Sequence, residues 1–390
     1  MPAAFSYLAI YVAGWILICL LWWVFKGEKY GITGLPFYII YRTNRLNNWI
    51  ERISAWKPTF WRTTWNLGIV VGVGAMVFAF YYFLQNFLNL FFQTPKAAPV
   101  QILVPVPGLG VSFETFPYLA LALSVLLISH ELSHGIASLA EGIPLKSAGV
   151  FFGHVLMGGF VEPDEEKLNQ AKSATKLRVF AAGSFTNVVL GLVFILLLAN
   201  FSATIAPFYN VLGSGVTIGS VPTNLPAHAS GIQAGEVVTG INGTRVSSIT
   251  DIQHFMAPVT PGEVIVLQTN NGTFIVRTAT DPSNSSHALI GIGGLTDLII
   301  YQPKFPFLSS SLPMILGRAE YWLSGLLVSV AVINMLPIPV LDGDKFIETA
   351  LNLLGVKRAK ELRMVLSGAA LAILTLNIGL SLLRFGFVRY

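Results

Sequence analysis

The stretch Ser129-His130-Glu131-Leu132-Ser133-His134-Gly135 follows directly on thirteen residues, 116–128, without a charge, and that conjunction narrows what the chain can be. On a helix the two histidines lie on one face, about 6 Å apart along the axis, as one tetrahedral zinc ion requires. Glu131 projects beside that face, where it can take a proton from a metal-bound water. Residues 116–128 read as part of a membrane span. Ionisable groups in lipid are expensive and are rarely kept without a function, which disfavours a chance match on a soluble helix.

The rest of the chain agrees with a membrane setting. It has 390 residues, 54% of them hydrophobic and 11% charged, and a mean hydropathy of +0.67, which describes an integral, multi-pass membrane protein. The net charge of +5 falls in loops beside apolar segments, so it reads as a topology signal, and no nucleic-acid partner is implied. Cys19 is the single cysteine, which excludes a thiolate zinc site within one chain. A metal must be held by His, Asp or Glu.

Taken in order, an apolar segment at 5–25 is followed by 26–65, with seven Lys or Arg against two acids, which places that loop in the cytoplasm. Within it Leu46, Trp49, Ile50, Ile53 and Trp56 share one helical face, the pattern of an interfacial helix ended by Pro58. Further spans are expected at 66–92, 113–140, 178–200, 319–336 and 364–384. With Gly142 as the helix end, the motif lies in the cytoplasmic half of its span. Residues 143–162 are short apolar runs broken by glycine, strand-like and re-entrant, and are expected to line the site. His154 in that segment is an additional candidate near a metal. The acids Glu162, Asp164, Glu165 and Glu166 read as a solvated loop. Asn187 is either packing glue or polar lining of the site.

Between 203 and 303 the composition turns to a soluble β-rich pattern with Gly/Asn turns. The order Gly215-Val216, Leu225-Pro226-Ala227, Gly231 to Val238 and Ile241-Asn242-Gly243 resembles a PDZ domain, with Glu236 where aspartate is usual. Asn200, Asn242, Asn271 and Asn284 head sequons, which suits an extracytosolic location, although Asn-Gly is also a favoured hairpin turn. The expected fold class is thus an α-helical polytopic membrane protein of about six spans with an inserted extracytosolic β-rich PDZ-like domain. The divisions fall at 1–92, 93–202, 203–305 and 306–390.

The fifth span ends in Asn334-Met335-Leu336-Pro337-Ile338-Pro339-Val340-Leu341-Asp342-Gly343, where two prolines open the chain near the cytoplasmic side. Asp342 arrives on the same side as His130 and His134. A catalytic zinc usually has three protein ligands, and Asp342 is the best-placed third. Asp344 reads as an ordinary interfacial charge.

Together these motifs resemble the site-2 protease family of intramembrane zinc metalloproteases over roughly residues 100–345. The carrying segments are His130 to His134, Gly159-Phe160-Val161-Glu162, Gly183 to Asn187 and Asn334 to Gly343, with the PDZ-like region before the last. The resemblance implies one Zn2+ per chain on His130, His134 and Asp342, Glu131 as general base, and Asn334 bonding substrate or oxyanion. It implies as partners the lipid bilayer and a transmembrane substrate already shortened on its outer side. Ser184 stands where the family usually has proline, a departure bearing on local helix shape. The uninterrupted PDZ-like region points to a prokaryotic source, an archaeal one included, and the cell membrane; a eukaryotic source would imply an endomembrane. A metal transporter would need no glutamate beside its first ligand, and a catalytically silent scaffold would be expected to have lost Glu131 or a ligand.

Overall fold

The computed structural model describes residues 2–33, 38–108, 110–153, 156–282 and 284–387. The chain divides into two compact units: residues 1–199 with 317–390, and residues 200–316 between them.

The first unit opens with helix α1 (Pro2–Phe25), the short strands β1 (Ile32–Thr33) and β2 (Tyr38–Arg42), and helix α2 (Asn44–Ala55). Thr43 caps α2 by accepting from the Arg45 N–H at 3.2 Å. Part of the expected apolar face packs on protein. Ile50 is fully buried against Ala148 and Val161, leaving Trp49 and Trp56 exposed. Burying one isoleucine contributes about 2 kcal/mol, enough to favour docking of a short helix.

Helix α3 (Pro58–Phe91) starts eight residues before the expected 66, because Pro58 opens this helix as well as following α2. Its buried residues Trp65, Gly68, Gly72, Ala75, Met76, Ala79, Phe83, Asn86 and Leu90 form one stripe along the helix, at spacings of three or four apart from the adjacent Ala75 and Met76. Helix α4 (Phe116–Ala140) carries the histidine motif and closes with Gly142 at φ 81°. Ile143 N–H donates to Ser138 O and Gly142 N–H to Leu139 O, the paired bonds of a glycine-terminated helix. The last helical residue is therefore Ala140, and His134 and His130 lie about 9 and 15 Å from it along the axis.

Strands β3 (Leu145–Gly153) and β4 (Leu156–Pro163) form the strand-like segment, and the sheet runs β1-β2-β3-β4, antiparallel throughout. His154 lies outside the described residues. The acidic run is solvated as expected, with Glu162, Glu165 and Glu166 exposed, but it is not a loop. Asp164 caps a short helix, α5 (Glu165–Gln170), by accepting from the Glu166 and Lys167 N–H groups, and Glu162 accepts from the Ser147 hydroxyl. Helix α6 (Ser173–Ala199) is the most enclosed of the long apolar helices: Val179 to Phe185 are all buried. Small residues let neighbours close in, with Gly68 of α3 against Phe185.

The second unit, residues 200–316, exceeds the expected 203–305 because its flanks bond to each other, Lys304 Nζ to Ala206 O and Tyr209 Oη to Ser309 O. It contains α7 (Phe201–Ile205), β5 (Tyr209–Thr217), α8 (Pro226–Ala229), β6 (Val237–Ile241), β7 (Thr244–Arg245), α9 (Ile249–Met256), β8 (Val264–Thr269), β9 (Gly272–Arg277), β10 (Ala279–Asp281), β11 (Asn284–Leu289) and β12 (Thr296–Pro303). The main sheet runs β12-β5-β6-β8-β9 over a core of Val216, Ile218, Val238, Ile241, Ile265 and Leu267. Asn242 and Gly243, at φ 49° and 80°, make the β6–β7 hairpin, so their Asn-Gly pair does serve as a turn.

Helix α10 (Leu312–Asn334) returns to the first unit, followed by α11 (Asp342–Leu353) and α12 (Ala359–Phe385). Among the described residues α3, α4, α6, α10 and α12 are long and apolar enough to cross a membrane. The remaining expected span, 5–25, coincides with α1, whose described apolar part is Ala13–Phe25.

Candidate metal centre

Four elements bring the candidate residues together. Helix α4 supplies His130, Glu131 and His134, the end of α10 supplies Asn334, the start of α11 supplies Asp342, and α6 forms the wall behind them. Gly183 on α6 is part of the reason they fit, since a Cβ there would stand 2.5–2.6 Å from the His130 ring.

His130 Nε2, His134 Nε2 and Asp342 Oδ2 lie 3.1 Å from one another, pair by pair. Ligands about 2.05 Å from a tetrahedral ion are separated by roughly 3.3 Å, so this triangle fits one zinc ion. Their side chains are 12–21% exposed, which leaves an open side for a fourth, non-protein ligand. That side faces a cavity of about 540 Å³ also lined by Glu131, Val161, Glu162, Asn334 and Val340. Burial alone would raise the Asp342 carboxyl, but the imidazoles of His134 and His130 hold it well below the ordinary carboxylate range. Among the described residues these three form the one group of histidines and acids able to hold a metal.

The candidate ligands are themselves held. His134 Nδ1 is 2.7 Å from Val179 O, which places its proton on Nδ1 and frees Nε2. Asn187 is fully buried, with Nδ2 3.2 Å from His130 Nδ1 and Oδ1 3.0 Å from Ser129 Oγ. Ser129 Oγ also donates to Leu126 O at 3.2 Å, so one proton faces two acceptors. Turning the Asn187 carboxamide by 180° resolves this: Nδ2 donates to Ser129 Oγ, and Oδ1 accepts from His130 Nδ1–H, the tautomer a metal at Nε2 requires. Asn187 thus holds His130 from behind without lining the cavity, a role beyond packing glue.

The Asp342 turn is built by contact with glycine. A Cβ at Gly343 would overlap the Met335 and Leu336 carbonyls, so the Leu-Asp-Gly sequence lets α11 start against the end of α10. Asp344, expected to be an ordinary interfacial charge, is 6% exposed and receives both Arg363 Nε at 2.8 Å and Nη2 at 2.6 Å. A bare acid two residues from a ligand gives no sequence signal for such a pair, because its partner is 19 positions away. Glu141 was likewise missed: its carboxylate, 4% exposed, takes Arg178 Nη1 at 2.9 Å, Thr175 Oγ1 at 2.7 Å and Arg62 Nε at 3.3 Å, tying α4 to α6 and α3.

The sequence profile described as Peptidase family M50 matches residues 118–376. The chain is 24% identical over 210 residues to an Arabidopsis thaliana protein named as a membrane-bound transcription factor site-2 protease homolog, covering 54% of this chain and 40% of that one. It is 25% identical over 217 residues to a Clostridium acetobutylicum protein provisionally named a zinc metalloprotease, covering 50% and 61%. The match thus spans about half the length of these curated relatives. The PDZ domain of a Listeria innocua SdrC-like protein aligns with 20% of this chain and 91% of its own, at 20% identity and a TM-score of 0.19, a score from which nothing is inferred.

Proposed function

The chain belongs to peptidase family M50, and from that membership we propose that it is an intramembrane zinc metalloendopeptidase, hydrolysing peptide bonds within transmembrane segments of membrane-anchored regulatory proteins. The observation that carries this reading is the 3.1 Å triangle of His130, His134 and Asp342 with Glu131 in the same cavity. A transport site would need the ion ligands but not the adjacent glutamate. A silent scaffold would need neither.

In this reading His130, His134 and Asp342 hold zinc, which when bound polarises the substrate carbonyl and makes water acidic. Glu131 accepts the proton of the attacking water and returns it to the leaving amine. Asn334 donates to the carbonyl oxygen as it gains charge. The substrate helix must unwind to expose its amide, and the free edge of β4 offers an extended partner for the unwound segment. The substrate is one whose outer portion has been removed beforehand. The β-rich insertion, taken as PDZ-like and extracytosolic, acts as a gate excluding bulky ectodomains; deleting 211–300 with a short linker should then permit cleavage of substrates with intact ectodomains.

The test compares native membranes carrying wild-type chain with those carrying Glu131→Gln. Truncated single-span stubs should accumulate only in the variant, with its zinc content unchanged, because the ligands remain. Equal stub levels in both would overturn the reading.

A further inference from the structure

We propose that Ser184 is a positioning residue for Asn334: by holding one amide hydrogen it fixes the direction of the other, which the proposed reaction uses. Ser184 lies in the most enclosed part of α6 at 1% exposure, and its Oγ accepts from Asn334 Nδ2 at 3.2 Å. The same nitrogen is 2.7 Å from Asp342 Oδ2 and 3.3 Å from His130 Nε2. A carboxamide nitrogen has two hydrogens. One goes to Asp342 and the other to Ser184, so the imidazole approach is contact rather than a third bond; a metal on Asp342 Oδ2 would free the first hydrogen for substrate, while Ser184 keeps the second and with it the direction of the amide.

Asn334 needs such an anchor because of where it stands. It is the last residue of α10, and the chain beyond it leaves the helix through Pro337 and Pro339. No following turn of its own helix packs the side chain. Helix α6 supplies the missing restraint from outside, and adjacent positions do two jobs. Gly183 makes room for the His130 ring, while Ser184 holds Asn334. The ligand and the amide donor are thereby aligned on one rigid wall. Expecting only a change of helix shape at 184 missed this, because α6 runs unbroken through the position and the consequence lies in a different helix.

This inference rests on the proposed function for its catalytic consequence but not for the bond itself, so the experiment has two arms. In metal-free full-length protein in detergent, Ser184→Ala should lower the unfolding midpoint on the wild-type background and have no effect on an Asn334→Ala background. Additive losses would show that Ser184 does not act through Asn334 and would overturn the proposal. In the zinc-loaded protein cleaving a single-span peptide, Ser184→Ala should lower kcat about five-fold, the worth of one hydrogen bond, with KM and zinc stoichiometry unchanged. Ser184→Cys, of similar size but a poor acceptor, should match Ala; wild-type turnover by the Cys variant would mean that only volume matters, and would also overturn it. A wild-type chain that cleaves no peptide would count against the proposed function, and the metal-free arm would still decide the Ser184–Asn334 link.

Discussion

Val161 donates its backbone N–H to Glu131 Oε2 at 3.3 Å. Val161 pairs with Ala148, whose carbonyl accepts from Thr43 N–H on the β2 side, so this pair exchanges no bonds and the polar groups of Val161 face outward from the sheet. The sheet edge proposed above to receive an extended substrate is therefore the edge that holds the candidate base. A substrate strand taking this N–H must release the carboxylate as it binds. Val161→Pro removes the donor at an outward-facing edge position, where proline is tolerated. Turnover should fall roughly 10- to 100-fold, the range for a hydrogen bond to a charged group, with zinc content unchanged by metal analysis. Unaltered turnover would show that neither Glu131 nor a bound strand depends on this donor.

Asp342 and Asp344, two residues apart, should separate cleanly. Asp342→Ala should lose zinc while keeping its fold. Asp344→Ala should instead destabilise the α11–α12 packing by roughly 2–3 kcal/mol, below the value for a fully buried pair because Arg363 is 26% exposed. Denaturant midpoints and zinc content measured on both variants decide it. An Asp344 variant of wild-type stability would contradict the assignment of a structural ion pair, and an Asp342 variant with full zinc would move the third ligand elsewhere.

Asn187→Leu removes both the acceptor for His130 Nδ1–H and the bond to Ser129. Zinc affinity should drop about 10- to 100-fold, the usual range for partners that orient a ligand. Competition with a chelator of known affinity measures this without any substrate. Unchanged affinity would return Asn187 to helix packing alone.

Val340 holds φ 83°, a conformation rare for a β-branched residue, and its side chain is fully exposed. No packing compensates the strain, so Val340→Gly should stabilise the chain by about 1 kcal/mol. A thermal shift in the zinc-loaded protein tests this; a lower midpoint would mean that the loop is held by contacts the glycine loses.

In the second unit, Asp251 accepts from the Ser247 and Ser248 N–H groups and completes the capping box of α9. These bonds, the Ser247 N–H foremost, hold its carboxyl below the ordinary 3.8. A depressed carboxyl contributes stability above the unfolded value and loses it as pH falls through the folded value. Amide protection in α9 should therefore be level above about pH 4 and weaken below it in the wild type, whereas Asp251→Asn should show a flatter profile.

The three candidate ligands could be brought to one place from the sequence because both signals are local. The i,i+4 histidines need only a helix, and the paired prolines before Asp342 need only to end one. The apolar runs likewise set the spanning helices, with errors of several residues where Pro58 served two helices at once and where α6 and α10 began earlier than their most apolar parts. What the sequence could not supply was every relation across helices. That Ile50 of α2 is buried against Ala148 and Val161, that Asn187 turns His130, that Ser184 holds Asn334, and that Val161 holds Glu131 each depend on residues tens to hundreds of positions apart. Periodicity and spacing describe one element's faces, whereas a hydrogen bond is fixed by the distance between two elements, and that distance is set only when the whole core packs.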